Sequence, residues 1–250
     1  MDGLVQLIII DSLMASDSES VKLVGMWASS FTHRVQLALK LKAVEFEYVE
    51  EDPSGEKSPQ LLPHNPIYKN LPVLLHADNS LADSLVILEY IDETWKHSPI
   101  MPHPPFERAL VRFWSRFVDD KLGPSVGDVF RLTAGGPEQA AAAIEAALSN
   151  LQVLEDELRD GFFRGRRFFG GEKMCVLDIV VGCGSYWLWV FEEVAGVKLL
   201  DPNRFPRFHS WLQDFEDQKE VKEIMPATHR LLEYAKGLGQ MIEKMEKKDG

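Results

Sequence analysis

The sequence predicts an α/β domain followed by an all-helical domain. Three observations lead to this prediction: a strand–helix–strand pattern in residues 21–49, a proline-rich stretch at residues 98–105, and helical spacing of apolar residues after that stretch. A chain of 250 residues is long enough for two domains that each bury a core.

The first domain follows from short periodic segments. Residues 21–25 predict a strand, residues 32–42 a helix, and residues 44–49 a strand that alternates apolar and charged side chains, so the two strands should pair in parallel. A long polar loop then leads to a strand at 71–76, a hairpin turn at 77–80 and a return strand that begins at Leu81-Ala82. Asp83 or Ser84 should cap a helix that runs to Trp95.

The second domain reads as helices only. They are predicted at residues 106–131, 137–159, 176–194, 205–215 and 227–236. The 176–194 segment is almost wholly apolar, which predicts a buried central helix. The domain limits that follow are 21–97 and 107–240, with a linker at 98–106 and tails at 1–20 and 241–250. The first tail is expected to be disordered or encoded upstream, and a packed extra strand or a targeting element is the alternative.

Composition excludes several function classes. With 27 basic and 39 acidic residues the formal charge is −12, which argues against nucleic acid as a partner. The apolar stretch at residues 4–10 is far shorter than the roughly 20 residues that cross a bilayer, and no other segment is a membrane candidate, so no membrane partner is expected. Two cysteines, Cys175 and Cys183, are too few for a disulfide framework and favour a reducing compartment, the cytoplasm. No metal-ligand spacing occurs among the histidines and cysteines, which predicts no metal site.

Six short segments carry a family resemblance through their order and spacing. They are VKLVGMWASSF at 21–31, EED at 50–52, KSP at 57–59, NP at 65–66, LPVL at 71–74 and DSLVILEYIDE at 83–93. Together they resemble the tau-class cytosolic glutathione transferases of plants, from about residue 21 to about residue 239. The resemblance implies a thioredoxin-like first domain that binds glutathione as co-substrate, without a prosthetic group, a helical domain that binds a small hydrophobic electrophile, and a homodimer.

The resemblance assigns the catalytic serine to Ser29, in the turn after the first strand. A hydroxyl that donates to the glutathione sulfur would lower the thiol pKa from its ordinary value of about 8.5, and the adjoining helix N-terminus also favours an anion. On residue type alone, without the surrounding motifs, a helix cap is the favoured interpretation of Ser29. Ser30 stands where the family usually has proline; we expect it to cap the helix, and competition with Ser29 for the sulfur is the alternative.

The other glutathione contacts are implied in the same way. Ser84 should bind the γ-glutamyl carboxylate at a helix N-terminus and Asp83 the amine, although both also suit a plain capping pair. The Leu71–Pro72 bond should be cis, leaving the Leu71 backbone to pair with the cysteinyl residue, where an ordinary strand-opening proline is the alternative. Lys57 should hold the glycyl carboxylate. Asn70 replaces a second lysine, which predicts binding weakened about fivefold by one lost charge contact.

The resemblance implies that five aromatic residues line the hydrophobic pocket, each of which could instead be core: Phe31, Trp114, Phe117, Phe130 and Trp187. The implied activity is conjugation of glutathione to hydrophobic electrophiles, with peroxide reduction as a side activity, in detoxification and stress response. Ser30 and Asn70 motivate an alternative, a non-catalytic binder of glutathione conjugates or hydrophobic ligands. A regulatory partner that uses the helical domain alone is a third reading. The basic and aromatic segment 161–171 reads better as a turn than as an RNA-binding element.

Overall fold

The computed structural model describes residues 20–52, 61–132 and 137–249, with side chains described for 20–52, 61–132 and 140–240. The chain divides into two compact units, Met1–Ser98 and Pro99–Gly250. Lys57 and almost all of the predicted first tail, residues 1–19, lie outside the described residues.

The first unit contains four strands and two helices in its described part. The strands are β1 Val21–Gly25, β2 Glu47–Glu50, β3 Val73–His76 and β4 Asn79–Ala82, and the helices are α1 Ser30–Leu41 and α2 Ser84–Thr94. The sheet order is β2-β1-β3-β4. β1 pairs in parallel with β2, as predicted, and β3 runs antiparallel to both of its neighbours.

Three predicted strand limits were wrong for local reasons. β3 begins at Val73 and not at residue 71, and Pro72 has no N–H to donate to a neighbouring strand. β2 begins at Glu47 and not at residue 44, because Ala43 has a φ of 48° and the Val44 N–H still bonds to the Leu39 carbonyl at the end of α1. The hairpin turn covers only residues 77–78, since Asn79 already pairs with His76 across the β3–β4 hairpin. A left-handed residue in the turn, Ala77 with a φ of 50°, allows this tight reversal.

The core of the first unit lies between its sheet and its helices. Apolar side chains of β1, α1, β3 and α2 are fully buried, among them Leu23, Val35, Leu74 and Leu88. Lys42, directly after α1, is also fully buried. Its Nζ lies 2.6 Å from Asp92 Oδ1 and donates to the Trp95 carbonyl at 2.8 Å, so this cation ties the ends of α1 and α2 together.

The second unit is helical throughout its described secondary structure. Its elements are α3 Pro105–Phe117, a π-helical turn Val118–Leu122, α4 Gly123–Leu132, α5 Pro137–Asp160, α6 Val176–Ala195, α7 Pro206–Glu216, α8 Lys219–Ile224 and α9 Thr228–Asp249. α6 is the buried central helix that the sequence predicted. The single predicted helix 106–131 is interrupted by the wide π-helical turn. α8 was not predicted because its six residues carry no apolar period.

Buried carboxylates organise this unit. Asp178 in the first turn of α6 accepts hydrogen bonds from the N–H groups of Phe169 and Cys175, both at 2.8 Å, and from the Trp211 indole at 2.8 Å. Glu155 on α5 accepts from the Phe208 N–H at 2.7 Å and so satisfies the start of α7. The start of α7 is therefore satisfied by a carboxylate from α5, whereas Asp178 lies in the first turn of α6 and ties Phe169 and Trp211 to that helix.

The basic and aromatic segment 161–171 folds onto this scaffold. The Arg166 guanidinium lies 4.6 Å from the Phe162 ring centroid, pairs with Glu107 at 3.2 Å, and donates to the Phe169 carbonyl. These contacts agree with the interpretation of the segment as a turn before the central helix.

Candidate active site

The sheet register brings three distant parts of the first unit to one edge. Val24 pairs with Val73, and Val73 pairs with Ala82, so the carboxyl end of β1 lies beside the start of β3 and the end of β4. The loop after β1 carries Ser29, the segment before β3 carries residues 70–72, and Asp83 follows β4. The sequence-predicted glutathione contacts among the described residues therefore share this edge.

Ser29 is the N-cap of α1. It has extended backbone angles, with φ −83° and ψ 116°, and its Oγ accepts the Thr32 N–H at 3.2 Å. The expectation that Ser30 is the cap was wrong. Ser30 is the first residue of α1, and the cap is the residue before it, Ser29. Because a hydroxyl accepts through its lone pairs, capping leaves the Ser29 O–H available as a donor.

The loop that holds Ser29 is fixed by contacts from α1. Thr32 Oγ1 accepts the Met26 N–H at 3.2 Å, and the His33 ring Nε2 lies 2.9 Å from the Trp27 carbonyl oxygen. His33 is buried, and burial lowers its pKa from 6.5 to about 4, so the ring is neutral near pH 7 and its Nε2–H donates to that carbonyl. Gly25 permits the close packing, since a Cβ there would lie 2.3 Å from the Thr32 methyl group.

Glu50, the last residue of β2, supports the same loop from the other side. Its carboxylate accepts the Trp27 N–H at 3.1 Å and the Tyr48 hydroxyl at 2.6 Å. Burial and this carboxylate raise the pKa of Tyr48. The N–H and the carbonyl of Trp27 are thus both bonded, which leaves the loop little freedom.

Asp83 and Ser84 form the start of α2. Asp83 has a φ of 75°, and its Oδ1 accepts the Leu85 N–H at 2.9 Å and the Val86 N–H at 3.3 Å. Ser84 is buried, and its Oγ accepts a hydrogen bond from Arg34 Nη1 at 3.2 Å. Asp83 is therefore the cap of α2. Ser84 is the first residue of that helix, and its hydroxyl oxygen accepts a hydrogen bond from the Arg34 guanidinium.

Arg34 joins the two helix starts. This buried residue of α1 donates to Ser84 on α2, and its guanidinium carbon lies 4.7 Å from the ring centroid of Phe31, which is 45% exposed. The Arg34 guanidinium carries its positive charge next to Ser84 at the start of α2, and the N-termini of α1 and α2 also favour anions. The arrangement suits a ligand with a carboxylate and an anionic sulfur.

The segment before β3 is held by Asn65. This buried side chain donates from Nδ2 to the Asn70 carbonyl at 2.9 Å and accepts the Tyr68 N–H at 3.2 Å. The Asn70 side chain is exposed, and the Leu71–Pro72 peptide bond that follows is cis, as the resemblance implied.

The remaining predicted pocket residues form two groups in the helical unit. Trp114 and Phe117 of α3 pack edge to face with ring centroids 5.5 Å apart, and Trp114 is largely buried. Phe130 and Trp187 both contact Phe191, with ring centroids 4.8 and 5.2 Å apart, in a cluster from α4 and α6.

Several supporting residues were missed by the sequence analysis. Glu50 and Asn65 lie inside the quoted motifs but received no role, and Phe191 and Arg34 were not singled out at all. The partners that give these residues their roles come from other elements, so sequence spacing does not reveal them.

The site offers hydrogen-bond donors, helix N-termini and a guanidinium. Over residues 20–52, 61–132 and 137–249, no group of three or more His, Cys, Asp or Glu side chains is arranged to hold a metal ion. In the same described ranges, no helix combines the length and apolar character needed to cross a membrane.

Comparison with known proteins places these features in a family context. Residues 19–93 match the family model of the glutathione S-transferase N-terminal domain. A probable glutathione S-transferase of Glycine max is 43% identical over 224 residues, which cover 89% of this chain and 96% of the relative.

Solved structures agree along nearly the whole chain. The tau-class glutathione S-transferase of mango, Mangifera indica, has a TM-score of 0.83 at 39% identity, covering 88% of this chain and 98% of its own. Rice GST1, solved in complex with glutathione, has a TM-score of 0.80 at 30% identity, covering 90% of this chain and 98% of its own.

Proposed function

This chain belongs to the tau class of the glutathione S-transferase family, and we propose that it transfers the glutathione thiolate to hydrophobic electrophiles. With a halogenated aromatic, a sulfur–carbon bond forms and halide leaves. With an activated alkene, sulfur adds to one carbon and a proton to the other. With an organic hydroperoxide, two glutathione molecules are oxidised to the disulfide while the peroxide is reduced to alcohol and water. The role that follows is detoxification under stress.

Activation of the thiol is the step we assign to Ser29. Its hydroxyl donates to the sulfur of bound glutathione and stabilises the thiolate, which is the nucleophile. The observation that carries the proposal is the Ser29 Oγ bonded to the Thr32 N–H, because this bond orients the hydroxyl while its proton is still free to be donated. Because hydrogen bonds in series polarise one another, the accepted bond also makes the hydroxyl a better donor.

The rest of glutathione is proposed to lie along the sheet edge. Ser84 and the start of α2 bind the γ-glutamyl carboxylate, and Asp83 pairs with the amine while it also caps the helix. Arg34 orients the Ser84 hydroxyl by donating to it at 3.2 Å, so that hydroxyl keeps its own proton for the ligand. The Leu71 backbone pairs with the cysteinyl residue beside Pro72.

The glycyl carboxylate is proposed to bind Lys57 and Asn70. Asn70→Lys adds a cation where the exposed amide now stands, and we expect glutathione to bind about fivefold more tightly. Titration calorimetry measures this, with Lys69→Ala as a control for general surface charge. An unchanged dissociation constant in Asn70→Lys would remove Asn70 from the site.

The second substrate, the assembly and the compartment are also proposals. Phe31, Trp114, Phe117, Phe130 and Trp187 are assigned to the hydrophobic pocket by resemblance. A homodimer would cover apolar side chains that the first unit leaves exposed, among them Ile67 at 81% and Tyr68 at 72%. Cytoplasmic residence agrees with the two free cysteines.

The proposed function is tested by conjugation of glutathione to 1-chloro-2,4-dinitrobenzene. Ser29→Ala removes the donor, and kcat/KM should fall about a hundredfold. Because Ser29 is also the N-cap, Ser29→Asp serves as a second variant: aspartate keeps the cap but cannot donate to a thiolate, so the fold should be as stable as the wild type and activity should still be lost.

Ser30→Ala is the matched control and should retain both activity and stability. The ultraviolet absorbance of bound thiolate against pH gives an independent measurement, in which the thiol pKa is lowered in the wild type and not in Ser29→Ala. Full activity in Ser29→Asp would overturn the assignment. Intact ligand binding with no conjugation by the wild type would support the non-catalytic alternative.

A further inference from the structure

A cavity lies within the helical unit. It has a volume of about 450 Å³ and is lined by α6, α7, α8, the segment 225–226 and α9. Most of its wall is apolar or aromatic, including Tyr186, Trp189, Met225 and Leu231. Its size is in the range of small-molecule sites, and Trp189 leaves 42% of its surface exposed there, so an apolar ligand would cover it.

This cavity uses a different face of α6 from the aromatic cluster proposed for the electrophile. Trp187 and Phe191 are one helical turn apart and contact each other, whereas Tyr186 and Trp189 line the cavity from the adjacent face. On α9, Tyr234 contacts Trp187 while Leu231 lines the cavity. The cavity and the cluster therefore use different faces of the two helices and adjoin at Tyr186, whose ring centroid lies 5.9 Å from that of Trp187.

The charges around the cavity favour a cation. Lys222 is paired with Asp217, Nζ to Oδ1 at 2.9 Å, so its charge is compensated. Glu216 is the carboxylate in the cavity wall, and among the described residues no hydrogen bond or ion pair reaches it. Burial raises its pKa, opposed by the nearby His209 and reinforced by Asp217. Glu216 is an exposed residue, and a bound ammonium group would give its carboxylate an ion-pair partner.

We propose that this cavity binds small aromatic amines in their protonated form, with the ring against Trp189 and Met225 and the ammonium group on Glu216. The Trp189 ring face also attracts a cation, so ring and charge favour the same class of ligand. Anionic aromatics are disfavoured, because Lys222 is already paired and Glu216 would repel them.

Titration calorimetry with three matched probes tests this proposal. 1-Naphthylmethylamine supplies the cation, 1-naphthalenemethanol the neutral analogue and 1-naphthaleneacetate the anion, each added to the full chain saturated with S-benzylglutathione. The amine should bind with one site per chain and about tenfold more tightly than the alcohol, with the acetate weakest. Saturation with the glutathione derivative keeps the probes out of the proposed active site.

Two variants and a control locate the binding. Glu216→Gln should abolish the preference for amine over alcohol while the alcohol still binds. Trp189→Ala should weaken all three probes, and Glu233→Gln, at an exposed position of α9 outside the cavity, should change nothing. Equal binding of amine and alcohol to the wild type, a preference that survives in Glu216→Gln, or no binding of the amine would each overturn the proposal. None of these outcomes depends on whether Ser29 is catalytic.

Discussion

His33 should make the stability of this protein depend on pH. The folded chain keeps the ring neutral under the Trp27 carbonyl, with a pKa of about 4, whereas the unfolded chain has the ordinary value of 6.5. Between these values only the unfolded state takes up the proton, so the free energy of unfolding falls as pH falls. The loss begins near 6.5 and is complete below about 4.

The magnitude follows from the interval between the two pKa values. Each pH unit corresponds to about 1.4 kcal/mol, so the full loss is about 3 kcal/mol. His33→Gln removes the titration, and its amide N–H can still donate to the Trp27 carbonyl. The variant should therefore lose about 3 kcal/mol less than the wild type when the solution is acidified from neutral pH to about pH 4.

Urea unfolding at both pH values measures the difference. Acidic residues that titrate over the same range are common to both proteins and cancel in the comparison. His103→Gln, at an exposed position, controls for the loss of a histidine and should follow the wild-type profile. Parallel profiles for wild type and His33→Gln would refute the conclusion that burial keeps this ring neutral.

Two further substitutions test packing at helix ends. Cys175 is the N-cap of α6, and burial together with Asp178 raises the pKa of its thiol. A serine hydroxyl is a better acceptor for the Asp178 N–H than a thiol, so Cys175→Ser should raise the free energy of unfolding by about 0.5–1 kcal/mol. Thermal melting compares Cys175→Ser with Cys183→Ser, a substitution in the middle of the same helix. Equal destabilisation by the two substitutions would contradict the predicted gain in stability. Lys42→Met leaves the largely buried Asp92 without its cation and should cost about 3–5 kcal/mol in denaturant titration, most of which Lys42→Met/Asp92→Leu should recover. A single variant as stable as the wild type would show that the buried pair has no net effect.

Most secondary structure was predictable because it depends on local patterns. The helical segments 137–159 and 176–194 end within one residue of the observed α5 and α6, since apolar period and a helix-starting proline are readable in sequence. α8 was missed because its stability comes from packing of Val221 and not from its own mostly charged residues. The wide turn at 118–122 was missed because it leaves the apolar spacing of a continuous helix nearly unchanged.

The cap at α1 shows where local reasoning fails. Ser29 and Ser30 are both good capping residues, and only the backbone angles decide that Ser29 is the cap and that its oxygen accepts the Thr32 N–H. The roles of Arg34 and Glu50 depend on partners 50 and 23 residues away, Ser84 and Trp27. No spacing rule connects residues at such separations.

The amino-acid sequence by itself determined the α/β and helical organisation and, through its motifs, the family to which the chain belongs. These properties depend on the order and periodicity of residue types, which a chain carries before it folds. Only the tertiary structure decided which hydroxyl caps α1 and which buried charges support the site. It alone also decided that one face of α6, next to the face that carries Trp187 and Phe191, lines a cavity. Those properties depend on distances and burial between remote residues, and such distances exist only once the chain is folded.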